Sequence, residues 1–97
     1  MKVTFSKRAV AQLDEIFGYI ARDNPAAAAA VVERIEALAL LLGEYPAMGR
    51  RTDKEGVRVM GVRQYPYLVF YRISAERDEV TILRVRHTAR RPLIGSS

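Results

Sequence analysis

One stretch constrains the fold more than any other: "DNPAAAAAVVERIEALALLLGEYP", residues 23–46, reads as a helix with both ends marked. Asn24 is an N-cap residue, whose side-chain oxygen satisfies an otherwise orphaned backbone N–H. Pro25 follows at the first helical position, where its missing N–H costs nothing. The five alanines that come next combine high helix propensity with small side chains, so the first turns can lie close against a neighbour. Val31 or Val32, Ile35, Leu38, Ala39 and Leu42 recur at steps of three and four and carry one apolar stripe. Gly43 is expected to take the left-handed conformation that ends the helix, and Pro46 blocks any continuation. A second helix precedes this one. Ser6 is placed to cap a run over residues 7–22 in which Ala9, Leu13, Ile16, Phe17 and Ile20 share a face expected in the core, with Asp14, Glu15 and Arg22 on the wet side. Two helices joined by two or three residues form an antiparallel hairpin.

The rest of the chain changes period. Residues 2–5 alternate polar and apolar side chains and read as a short strand. Residues 46–56, "PAMGRRTDKEG", carry a proline, two glycines and five charges and read as a loop. Three strand candidates follow, Val57 to Val62, Tyr67 to Ile73 and Val80 to Val85, rich in β-branched and aromatic residues. "YLVFYRI" is apolar on both faces for most of its length, as a central strand is, and "SAERDE" is a polar turn. The order strand, helix, helix, strand, strand, strand predicts an α+β fold. The last three strands form an antiparallel meander that the first strand joins, with the helical hairpin on one sheet face.

With 97 residues and 49% hydrophobic content, the chain is expected to make one domain over residues 1–97, and a partner covering its remaining apolar surface would stabilise it further. There is no cysteine, which excludes disulfides and thiolate metal sites, and a single histidine cannot supply a clustered zinc centre. No metal or cofactor is expected. The N-terminal residues lack a signal-peptide pattern and no apolar run approaches the length of a membrane span, so the expected compartment is the cytoplasm, without membrane partners. The net charge is +5. Residues 1–49 hold five basic and six acidic side chains, residues 50–97 eleven and five, so the whole excess lies in the second half. Such an excess favours an anionic partner through steering and counterion release.

The charge concentrates in "ILRVRHTARRP", residues 82–92, where the chain's only histidine stands among four arginines. Strand alternation puts Arg84 and Arg86 on one face and Leu83, Val85 and His87 on the other; Leu83 and Val85 are expected under the helices. Arg90 and Arg91 follow as a basic tail with no apolar stripe to fold on.

Four blocks in order, "LDEIFGYIARDNPAAA", "YPAMGRR", "GVRVMGVRQYPYLVFYRI" and "ILRVRHTARRP", resemble the ParE/RelE superfamily, the toxin half of bacterial toxin–antitoxin pairs, and cover nearly the whole chain. The resemblance leans toward the ParE branch. It implies a compact toxin held in check by a cognate antitoxin that folds on it and represses the shared operon, so operator DNA is met only through the antitoxin. ParE-like members act on DNA gyrase, whereas RelE-like members cut mRNA in the ribosomal A site. The two branches share one fold, which therefore does not choose between them.

Metal-free RNA cleavage needs a proton acceptor for the 2′-hydroxyl, a proton donor for the leaving oxygen and cations around the phosphate. The resemblance implies Arg63 and His87 for those parts, Arg63 matching a strand arginine of the nuclease branch. The tyrosine common close after such a histidine is replaced by Thr88 and Ala89, and Lys54 stands alone where the nucleases have a lysine cluster. The leading expectation is therefore a gyrase-binding toxin with no catalytic residue, its target bound through Arg84, Arg86, Arg90 and Arg91. The alternative is a RelE-like endonuclease using Arg63 and His87. A basic nucleic-acid module without toxicity is a third class, but the sequence has no recognisable readout motif for it. Leu40 and Leu41, beside the inward stripe of the second helix, and Tyr65 and Tyr67, around Pro66, are expected to meet the antitoxin.

Overall fold

The computed structural model describes residues 1–89; Arg90 and Arg91, expected at the target, lie outside the described residues. The elements run β1 (Lys2–Phe5), α1 (Lys7–Ala21), α2 (Pro25–Glu44), a 3-10 turn (Pro46–Met48), β2 (Arg50–Arg51), β3 (Val57–Gly61), β4 (Tyr67–Ser74) and β5 (Glu79–His87). They form an α+β fold around one mixed sheet of order β1-β5-β4-β3-β2. β3, β4 and β5 are the expected antiparallel meander, and β1 lies parallel beside β5. The two-residue β2, which pairs Arg50 with Val59 and Arg51 with Arg58, lies within the segment read as loop. Two residues are too few to show the alternation that marks a strand.

Both helix caps form as expected: Ser6 Oγ accepts from the Ala9 N–H at 3.0 Å, and Asn24 Oδ1 from the Ala27 N–H at 3.0 Å. Ser6 does more than cap, because its hydroxyl also donates to the Leu83 carbonyl at 2.8 Å and its own N–H to the Ile82 carbonyl at 2.9 Å. Six residues on, Gln12 Oε1 accepts from the Val85 N–H at 2.7 Å. β1 stops pairing at Phe5↔Ile82, and the start of α1 takes over the outer edge of β5 from there. An edge that would otherwise expose unpaired backbone groups is closed by one helix.

The core lies between the hairpin and one sheet face. Ile35, Ala39 and Leu42 of α2 and Ala9 of α1 pack with Val69 and Tyr71 of β4 and with Val80, Ile82 and Val85 of β5, all nearly inaccessible. Burying an Ile or Leu completely contributes about 1.5–3 kcal/mol each, so this stripe holds the hairpin down.

Two expectations fail here. Gly43 does not end α2 in a left-handed turn; the helix runs through it to Glu44. Its role is close approach, since a Cβ there would stand 2.6 Å from Val3 Cγ2 and 2.8 Å from the Met1 carbonyl oxygen, and the N-terminal ammonium donates to the Gly43 carbonyl at 3.0 Å. Phe17 is not core but 42% exposed. At about 100° per residue it stands roughly 80° round the helix from Ala9, at the rim of a stripe centred on Ala9, Leu13, Ile16 and Ile20.

Candidate functional site

β5 is bent by a bulge. Phe70 pairs with Arg84 while Tyr71 pairs with Ile82, which leaves Leu83 as the extra residue. The alternation therefore slips by one at Leu83. Val80 and Ile82 face the helices before it, and Val85 and His87 after it. Leu83 is not under the helices as expected; it lines a cleft on the opposite face, and Ile82 takes the inward place. The slip also sets the directions of the charged residues that follow. Arg84 and Arg86 stand opposite Phe70 and Leu68 on the open face, while His87 stands opposite Tyr67 on the helix face.

On the open face Phe70 organises the arginines. The Arg84 guanidinium lies 4.3 Å and that of Arg86 5.5 Å from the centre of its ring, close enough for cation–π attraction. Burial lowers the affinity of Arg84 for its proton, and the like charges of Arg8 and Arg86 act in the same direction. An arginine keeps its charge under such pressure, so the face is a positively charged surface whose own neighbours repel. Arg86 Nε is buried and has no hydrogen-bond partner among the described residues.

The nuclease candidates do not meet. Arg63 lies in the turn after β3, not on a strand; its carbonyl accepts from Arg34 Nη1 at 3.2 Å and its side chain is exposed. Gln64, next along this turn, takes φ +73°. His87 packs edge-on against the buried Tyr67 ring, centroids 5.1 Å apart at 85°, and its Nδ1 accepts from the Ala89 N–H at 3.1 Å. The neutral ring then carries its proton on Nε2. The arginine pair and the histidine are thus on opposite sides of the sheet.

Not every arginine of the basic half is available to a partner. Arg58 donates to the carbonyls of Gly49 at 2.7 Å and Ala47 at 3.4 Å, holding the turn after α2. Tyr71 holds the same turn from beneath: its hydroxyl accepts from the Gly49 N–H at 2.9 Å and donates to the Pro46 carbonyl at 2.6 Å.

The residues expected at the antitoxin fall in different settings. Leu40 and Leu41 are 68% and 41% exposed near the end of α2, close in sequence to exposed Tyr45 and Met48. Tyr65 is half-buried beneath Arg34, 5.9 Å from its ring centre, and Tyr67 is in the core. An exposed apolar groove that sequence reasoning missed lies between α1 and α2, where Val10 and Phe17 open beside Phe5 and Val32 under a rim of Asp14 and Glu36. Its signal was present in Val10 and Phe17, seven residues apart on one helix face. Among the described residues there is no helix long and apolar enough to cross a membrane, and no group of three or more His, Cys, Asp or Glu side chains that could hold a metal ion.

Known proteins are similar to this chain in sequence and shape. Residues 3–92 match the family described as ParE toxin of type II toxin–antitoxin system, parDE. The chain is 39% identical to the protein Y4kP of Sinorhizobium fredii over 82 residues, covering 84% of this chain and 85% of that one. It is 34% identical to toxin RelE2 of Caulobacter vibrioides over 89 residues, covering 92% and 97%. Among solved structures it superposes on one from the chromosomal ParDE toxin–antitoxin system of P. aeruginosa with a TM-score of 0.76 at 26% identity, over 90% of this chain and 95% of that one. The chain therefore belongs to the ParE toxin family of type II toxin–antitoxin systems, within the ParE/RelE superfamily.

Proposed function

We propose that this toxin arrests growth by binding DNA gyrase through the open arginine face, without breaking a bond itself, and that a cognate antitoxin neutralises it. One observation carries the choice against the nuclease reading: β5 places Arg84 and Arg86 on the face opposite His87, so a phosphate held by the arginines is out of reach of the imidazole. Arg63, in its turn, belongs to neither arrangement. What remains on the open face is a set of fixed guanidiniums around an aromatic ring, suited to gripping acidic or hydrogen-bond-accepting protein surface.

The antitoxin reading rests on exposed apolar surface. Leu40 and Leu41 offer side chains that water contacts in the isolated chain, while Tyr65 is half-buried beside α2, under Arg34. Tyr67 supports the site from the core instead of touching a partner. The basic tail at Arg90 and Arg91 adds to the charge presented to gyrase.

The purified toxin is expected to block gyrase supercoiling of a relaxed plasmid, and the Arg84→Gln/Arg86→Gln variant to have lost that block while keeping its circular-dichroism spectrum. A wild-type chain that leaves supercoiling untouched yet cuts messages on translating ribosomes would overturn the proposal in favour of the RelE-like activity.

A further inference from the structure

Late in α1 stands a glycine that the isolated chain does not require. Gly18 is exposed, lies inside a regular helix where glycine is less favourable than alanine, and a Cβ built on it would meet no atom within 4 Å. Open space over a helix backbone suits the close approach of another helix. Gly18 has neighbours of the same kind. At about 100° per residue, Lys7, Val10, Ala11, Asp14, Phe17 and Gly18 fall within about 120° of the helix surface. All of them are exposed, and Val10 and Phe17 are large apolar side chains left 47% and 42% accessible. Beside them runs the groove of about 270 Å³ between α1 and α2, lined by Phe5, Leu13 and Val32 with Asp14 and Glu36 at its rim. We infer that this face of the hairpin packs against the same face of a second copy, with α1 antiparallel to α1 about a two-fold axis near Val10 and Ala11. The inference is independent of the target, because the hairpin and the open arginine face lie on opposite sides of the sheet.

Three observations select a second copy as the occupant. The first is the distribution of charge. Residues 1–49 hold five basic and six acidic side chains and residues 50–97 eleven and five, so two copies repel through their sheets and meet almost without net charge through their hairpins. The second is register. With the axis between Val10 and Ala11, Lys7 of each copy faces Asp14 of the other, and these two ion pairs flank the central apolar contact. The third is shape. In the same register Phe17 of each copy comes level with Phe5 at one end of the other's groove, while the small Ala11 and Gly18 let the helices approach closely.

The size of the face sets the strength. α1 has 15 residues and is about 22 Å long, and two helices about 10 Å apart make a face about 20 Å wide. That is at the small end for a specific interface, so a reversible dimer with a Kd on the order of 10–100 µM is expected.

Sedimentation velocity of the full-length chain from about 5 to about 500 µM should show a monomer–dimer equilibrium. Phe17→Glu should weaken it at least about tenfold, and so should Gly18→Gln, which fills the open space and, as a better helix former, leaves the Tm no lower. Lys7→Glu and Asp14→Lys each set like charges against one another and should weaken the dimer about fivefold or more, whereas the two together return the parental Kd because opposite charges face again. All four positions are exposed on α1, and circular dichroism of each variant checks that the fold is kept. A chain that stays monomeric to about 500 µM, assemblies that grow beyond two copies, a dimer indifferent to Phe17→Glu or Gly18→Gln, or a double charge swap that fails to recover would each overturn the inference. None of these outcomes bears on gyrase inhibition, which Arg86→Gln reads separately.

Discussion

Replacing Tyr71 with Phe removes one oxygen from the fully buried ring and leaves its shape. The hydroxyl joins two backbone groups of the turn after α2: it accepts from the Gly49 N–H and donates to the Pro46 carbonyl. In Tyr71→Phe no cavity opens, so the loss is that of two hydrogen bonds, one of them to a buried N–H left without a partner. An unmet buried backbone group costs about 1–3 kcal/mol, and about 2 kcal/mol is the expected total because the carbonyl end is only partly buried and can turn to water. In a chain of this size 1 kcal/mol moves Tm by about 4–8 °C, so thermal unfolding followed by circular dichroism should show a fall of roughly 8–16 °C. Gly49 gives no room for relief by substitution even without the hydroxyl, because a Cβ there would stand 2.8 Å from the Val59 carbonyl oxygen and 2.9 Å from Cε1 of the ring at position 71. A Tm within about 2 °C of the parent would refute the reasoning and show that Arg58 alone holds the turn.

Further outcomes follow from the same contacts. Burial raises the Tyr71 pKa above its ordinary 10.0, against the opposing effects of the Gly49 hydrogen bond and Arg58. The folded state thus keeps a proton that the unfolded chain has lost above about pH 10. This contribution to stability is complete below that pH and declines as pH rises through the raised value, and urea titrations at pH 8 to 11 should show a steeper alkaline loss for the parent than for Tyr71→Phe. Ser6→Ala removes the cap of α1 together with the bond to Leu83, and urea unfolding should read a loss of about 1–3 kcal/mol against about 1 for Asn24→Ala, whose side chain only caps. Gln12→Leu leaves the Val85 N–H without its acceptor, and hydrogen exchange at that amide should accelerate more than at Val80.

The sequence made the architecture legible wherever period and punctuation agreed. Asn24, Pro25 and the i, i+3, i+4 stripe marked α2, and the β-branched runs marked β3 to β5, because each is a local signal. What was hidden depends on contacts distant along the chain. Gly43 looks like a helix terminator until β1 is seen pressed against it, and Leu83 looks like a core residue until the bulge opposite Phe70 and Tyr71 moves it to the other face. A one-residue slip in register is invisible in a sequence that satisfies alternation on both sides of it. The directions of Arg84, Arg86 and His87 were nonetheless read correctly, since all three lie past the bulge and alternate regularly from there. Arg58 and Arg34 could not be told from surface arginines, as their work is to bind the carbonyls of turns formed elsewhere.

On the function proposed above, the open arginine face acts by binding and the histidine behind it does no chemistry. Growth after induction of two single variants, each confirmed as folded by circular dichroism and by matched expression, tests it directly. His87→Ala should arrest cells as the parent does and Arg86→Gln should let them grow. Arrest abolished by His87→Ala and retained by Arg86→Gln would contradict it.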